Sequence, residues 1–100
     1  MTLDFFVSNY NIDDFDIKKI YIKNNKLYLK AIYNVYLELI ANGYRPEMNM
    51  DIEKTFVFEC DHEDKVFKSK SIEVVENKDN KLVIKINNEL LSLFGNVEII

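Results

Sequence analysis

A chain of 100 residues that is 48% hydrophobic and 13% aromatic has the size and apolar content of one ordinary core, so a single domain over residues 1–100 is expected, with no staple of disulfides or metal. The net charge of −4 and a pI near 5.0 argue against a dedicated nucleic-acid binder, which displaces counterions with a basic excess. Cys60 is the sole cysteine, which excludes an intrachain disulfide, a redox pair and a four-cysteine zinc site. The N-terminus turns acidic too soon for a secretory signal and no apolar run approaches about 18 residues, so a cytoplasmic protein with no membrane segment is expected.

Charge is segregated at the start of the chain. Residues 1–17 hold Asp4, Asp13, Asp14 and Asp16 and no base, while residues 18–30 hold Lys18, Lys19, Lys23, Lys26 and Lys30 and no acid. The lysine-rich segment reads as a hairpin closing on Asn24-Asn25. Pairing Lys23 with Lys26 across that turn sets Tyr21 opposite Tyr28 and Lys19 opposite Lys30 on one face, with Ile20, Ile22, Leu27 and Leu29 on the other. Like charges opposed across strands destabilise a sheet, so an acidic group from elsewhere in the chain or from a partner is expected to answer these lysines. Glycine is scarce, Gly43 and Gly95 alone, and asparagine must supply most turn positions with φ > 0. Asn24-Asn25, Asn42-Gly43 and Asn77-Lys78-Asp79-Asn80 each divide two apolar-rich segments, as hairpin connections do.

From Lys26 to Ala41 the polar residues Lys26, Lys30, Asn34 and Glu38 recur every four positions, a spacing that fits a helix and a strand alike. As a helix the segment would put Lys26 and Lys30 at the positive end of the dipole and Glu38 near the negative end, the reverse of what helices favour. As a strand it places Leu27, Leu29, Ala31, Tyr33, Val35, Leu37 and Leu39 on one face, and the strand is preferred, with a bend or break near Asn34. The alternative is an α+β fold with a helix at 26–42 packed on an antiparallel sheet, ended by Gly43 and Pro46. Further on, Ile52, Phe56, Phe58 and Cys60 alternate with polar neighbours, as do Leu82, Ile84 and Ile86. Asn88 to Gly95 offers an N-cap, an early acid and a terminating glycine and reads as a short C-terminal helix, followed by a last strand from Asn96 to Ile100. The fold expected is mainly β: an antiparallel sandwich or partly open barrel of about six strands with one short C-terminal helix.

Catalytic and metal chemistry find little purchase. Glu59-Cys60-Asp61-His62-Glu63-Asp64 is the densest set of ligand-type side chains, yet a C-x-H pair supplies two zinc ligands at most, with no second pair elsewhere. It reads as a polar hairpin turn between Phe58 and Val66. Cys60 and His62, two apart on a strand, would share a face, but nothing orients the imidazole or forms an oxyanion hole. Asp13-Asp14-Phe15-Asp16 lacks the glycine and the distant glutamate of a calcium loop. No cofactor, metal or enzymatic activity is expected.

The binding residues are therefore sought on the lysine–tyrosine face and around it. Lys19, Tyr21, Tyr28 and Lys30 form the hairpin face; Asp13, Asp14 and Asp16 form the acidic loop; Tyr36, Tyr44 and Arg45, residue types that anchor protein interfaces, lie on or beyond the following segment. Another protein is the expected partner, with a homodimer as one form of it. Single-stranded nucleic acid, its bases on the tyrosine rings and its phosphates on the lysines, is the alternative.

The order Asp13-Asp14-Phe15-Asp16-Ile17-Lys18-Lys19-Ile20, then a hairpin, a long strand, Ile52 to Cys60, and a final Gly95-Asn96-Val97-Glu98-Ile99-Ile100 resembles small bacterial immunity-type proteins of polymorphic toxin systems. Small acidic phage inhibitors of host defence look much the same. The resemblance implies a noncatalytic cytoplasmic inhibitor that binds a toxin or effector through an acidic or mixed surface.

Overall fold

The computed structural model describes residues 1–34 and 51–100. A short helix α1 (Leu3–Asn9) and a single 3-10 turn (Ile12–Asp14) precede seven strands: β1 (Asp16–Lys23), β2 (Lys26–Asn34), β3 (Asp51–Cys60), β4 (Lys65–Phe67), β5 (Glu73–Lys78), β6 (Lys81–Ile86) and β7 (Glu89–Ile99). All neighbouring strands are antiparallel and form one sheet in the order β4-β1-β2-β3-β7-β6-β5. The mainly-β expectation holds, as one curled half-barrel sheet and not as two sheets of a sandwich.

The curl follows from connectivity. The outermost strands β4 and β5 are joined by residues 68–72 alone. Six Cα steps from Phe67 to Glu73 reach at most about 22 Å, whereas a flat seven-stranded sheet would hold its outer strands about 29 Å apart. The sheet must bend until its edges approach, and Ile72 in the link is itself buried.

Three of the connections are two-residue turns in which both residues have positive φ: Asn24 and Asn25 (53° and 58°), Asp79 and Asn80 (53° and 55°), and Asn87 and Asn88 (49° and 68°). This backbone matches the right-handed twist of paired strands, and asparagine and aspartate tolerate it best after glycine. The first turn fixes the register expected from the sequence, with Tyr21 opposite Tyr28 and Lys19 opposite Lys30. Ile20, Ile22, Leu27 and Leu29 are all buried on the inner face.

Alternation sorts the remaining strands the same way. Phe56, Phe58 and Cys60 of β3, Leu82, Ile84 and Ile86 of β6, and Leu91, Leu93 and Val97 of β7 fill the concave side. Helix α1 plugs it. Thr2 caps the helix by accepting a hydrogen bond from the Phe5 N–H at 3.1 Å, and Asp4 sits in the first turn, where the dipole favours an acid. Seven residues are too few to hold a helix in water unaided, so its stability comes from packing. Phe6 is fully buried, with ring centroids 5.3 Å from Phe56, 5.2 Å from Phe58 and 5.2 Å from Tyr10.

Three expectations are corrected. The single α-helix of the described residues is N-terminal, and the segment from Asn88 to Gly95, expected as a C-terminal helix, is the Asn87-Asn88 turn followed by β7. Seven strands are described where about six were expected. The segment 61–64 is not a hairpin turn: β3 pairs with β2 and β7 while β4 pairs with β1, so the chain crosses the end of the β1–β2 hairpin. Asn24 N–H donates to Asp64 Oδ1 at 2.9 Å and Asn25 Nδ2 donates to the His62 carbonyl at 3.0 Å, which tie the crossing down. The Lys26–Asn34 part of the ambiguous segment is strand, so a helix at 26–42 does not form there; Asn42-Gly43 and the rest of that segment lie outside the described residues.

Candidate functional site

The outer face of the sheet carries polar side chains interspersed with apolar ones, among them Val66, Leu90 and Phe94. At its middle, registered pairs align Val66 of β4, Tyr21 of β1, Tyr28 of β2, Val57 of β3 and Glu98 of β7 in one row across five strands. The Tyr21 and Tyr28 rings lie 4.8 Å apart with an interplanar angle of 2°. That separation equals the spacing of adjacent strands, so the two rings stand upright and stack face to face. Lys19 Nζ lies 5.1 Å from the Tyr21 ring centroid, a cation–π contact. Val57 is only 5% exposed although it faces outward, flanked in register by Tyr28 and Glu98.

The structure supplies the acids that the lysine face called for. Lys30 Nζ lies 3.2 Å from Glu53 Oε1 on β3 and Lys18 Nζ lies 2.8 Å from Asp16 Oδ2. Both pairs are solvated and stabilise little, but Glu53 beside Lys30 reduces the like-charge repulsion expected from Lys19 opposite Lys30.

Of the sequence-predicted residues, Lys19, Tyr21, Tyr28 and Lys30 come together. Asp13 and Asp14 sit in the 3-10 turn, where the Asn11 side chain accepts from the Asp13 N–H at 3.1 Å and donates to Asp14 Oδ2 at 3.2 Å. With Asp16, which pairs with Lys18, they lie at the start of β1, the end away from the Asn24-Asn25 turn. Tyr36, Tyr44 and Arg45 lie outside the described residues.

Two ladder rows flank the tyrosines; their first pairs, Lys23 with Lys26 and Lys19 with Lys30, follow from the hairpin register, and their continuation onto further strands follows from strand order. One runs Lys23, Lys26, Glu59, Phe94, Lys81, Lys78 across six strands. Its sequence signal is a repeated tetrad, Lys23-Asn24-Asn25-Lys26 and Lys78-Asp79-Asn80-Lys81, in which each turn sets two lysines face to face. Phe94, in the middle, is 43% exposed. The other row is Lys19, Lys30 and Thr55.

A second polar cluster lies on the crossing segment. Asp61, His62, Glu63, Asp64, Lys65 and Glu89 line an open depression of about 350 Å³. His62 Nδ1 is 3.1 Å from Asp61 Oδ1 and its Nε2 is 3.6 Å from Glu89 Oε1, while Lys65 Nζ also contacts Glu89. Burial raises the Asp61 carboxyl, but hydrogen bonds from His62 and from the Ser92 N–H outweigh it and hold the group below the usual carboxylate range. The strand ends at Cys60, whose thiol is buried in the core and pushed up by burial against an opposing backbone hydrogen bond from His62. Thiol and imidazole thus do not present a shared face to solvent. Among the described residues no group of three or more His, Cys, Asp or Glu is placed to hold a metal ion, and no helix is long and apolar enough to cross a membrane.

The fold and face together define a curled antiparallel sheet with a helical plug and a tyrosine ladder on its convex side. Comparison with protein-family models, with characterised proteins and with solved structures gives no match to this chain.

Proposed function

We propose that this chain is a noncatalytic binding protein that recognises another protein through the outer face around Tyr21 and Tyr28. The observation that carries this reading is the parallel tyrosine stack at 4.8 Å. Two large, half-exposed amphipathic side chains, held rigid against each other, lose little conformational entropy when a partner covers them, which is how tyrosines act at protein interfaces. Neither hydroxyl is hydrogen-bonded within the described chain, so both are left for a partner. A cytoplasmic inhibitor of the immunity type is the form of this function that the order of the chain suggests.

The second reading, single-stranded nucleic acid on the same face, has less support. Bases stack on open ring faces, and here each ring covers one face of the other while Lys19 attends Tyr21.

The test is affinity capture of the tagged protein from its source-cell extract, with and without nuclease, for wild type and for Tyr21→Ser/Tyr28→Ser, with circular dichroism to confirm folding. One protein recovered equally in both nuclease arms by wild type, and lost in the double variant, is the expected outcome. Recovery that vanishes with nuclease assigns the face to nucleic acid; recovery indifferent to the tyrosines overturns the site.

A further inference from the structure

We infer that the row Lys23, Lys26, Glu59, Phe94, Lys81, Lys78 is a recognition track for an extended acidic segment of a protein partner, with two carboxylates about four residues apart and an apolar side chain midway. This deepens the protein-binding reading of the outer face and rests on it.

The track consists of two lysine pairs. Lys23 opposes Lys26 and Lys78 opposes Lys81, each at the closing position of a hairpin. All four side chains are exposed, and none has an ion-pair partner in the described chain, whereas Lys18, Lys30 and Lys65 are each paired. Opposed like charges destabilise a hairpin, and a carboxylate paired with the inner lysine of each turn, Lys26 or Lys81, offsets that repulsion. Anti-aggregation charge accounts for lysine on the outermost strand β5. It does not account for Lys26 and Lys81, which stand on the interior strands β2 and β6.

Spacing defines the ligand. From β2 to β6 the sheet order crosses β3 and β7, three intervals or about 14 Å, which an extended chain covers in about four residues. Residues four apart in an extended chain point the same way, and so does the residue midway. That middle position lands on Phe94 and Glu59. Phe94 is an exposed aromatic with no ring contact in the described chain, suited to an apolar side chain. Glu59 leaves the track with a net charge of +3, still complementary to an acidic segment. Nucleic acid would satisfy the lysines and stack a base on Phe94, but it would bring its phosphates against Glu59, which pairs in register with Phe94.

The probe is a fluorescein-labelled peptide with two glutamates four positions apart and a leucine midway, compared with an isomer carrying the glutamates side by side. Anisotropy is read at about 50 mM and about 300 mM salt, where screening differs strongly. The spaced peptide is expected to bind at low salt, to weaken at high salt, to weaken about tenfold with Lys26→Glu/Lys81→Glu and less with Lys26→Gln/Lys81→Gln, and to be indifferent to Lys18→Glu. The inference is overturned if the charge-reversed protein binds as well as wild type, if the isomer binds equally, or if an oligonucleotide of equal charge binds more tightly. Partner capture that depends on Tyr21 and Tyr28 but survives Lys26→Glu/Lys81→Glu also overturns it, while leaving the protein-binding reading intact.

Discussion

The Glu59 carboxylate occupies the space where a side chain on Gly95 would begin. Glu59 Oε2 lies 1.7 Å and Cδ 2.9 Å from the position of a Cβ on Gly95, and Gly95 has φ of +75°. Here β3 and β7 lose register between Val57 and Glu59, and Asn80 Nδ2 donates to the Gly95 carbonyl at 3.2 Å. The irregularity thus joins β3, β7 and the β5–β6 turn at one point of the outer face.

Gly95→Ala therefore faces two obstacles of different kinds. The positive φ costs about 1–2 kcal/mol for a residue with a Cβ, while the collision is with the far end of a flexible side chain that can rotate away. The expected loss is about 1–2 kcal/mol, or a fall in Tm of about 4–8 °C per kcal/mol for a domain of this size. Adding Glu59→Ala should recover little of it. Recovery of most of the loss in the double variant would show that contact, not backbone conformation, makes glycine necessary.

Phe6 is the residue through which α1 belongs to the fold. With no exposed surface and three aromatic neighbours within 5.3 Å, its replacement by alanine should cost about 3–5 kcal/mol. Against a total stability of about 5–15 kcal/mol this is a large fraction. Urea unfolding followed by circular dichroism should show a sharply lower midpoint. An unchanged midpoint would mean that the sheet closes its core without the helix.

The Asn87-Asn88 turn gives a cleaner measure of backbone conformation, because neither side chain has a hydrogen bond within the described chain while both hold positive φ. Asn88→Ala should destabilise by about 1–2 kcal/mol, and Asn88→Gly should be neutral to within a few tenths. Equal effects of alanine and glycine in chemical denaturation would contradict the turn geometry.

That same turn shows why part of the fold was readable and part was not. The β1–β2 hairpin was legible because strict alternation and one asparagine pair leave a single register that buries Ile20, Ile22, Leu27 and Leu29 together. The end of the chain was not, because asparagine serves a helix N-cap as well as a left-handed turn. Leu90 and Phe94 also place apolar side chains on the outer face of β7, at 56% and 43% exposure, which erases the alternation. Helix α1 left only Thr2 and Asp4 as local signs, since its stability resides in the long-range burial of Phe6. In the candidate site, the facing tyrosines and lysines followed from register. The alignment of Lys26 with Phe94 and Lys81 depends on strand order, which no local pattern encodes.

Asp61 links the crossing segment to β7 and should make stability respond to acid. Its carboxyl is raised by burial but lowered more by the hydrogen bonds from His62 and the Ser92 N–H, and the net effect is a folded-state pKa below the ordinary value. A depressed carboxylate pKa means that the unfolded chain binds the proton more readily. The stabilisation is therefore fully present above the unfolded value of about 3.9 and is lost as pH falls through the lower folded value. Asp61→Asn removes that component, and with it the charge beside His62. Thermal unfolding of wild type and variant from about pH 6 down to about pH 2 should show the gap between them narrowing as pH drops below the unfolded carboxylate pKa. A gap of constant width across that range would mean that Asp61 holds the crossing segment by shape alone, with no contribution from its charge.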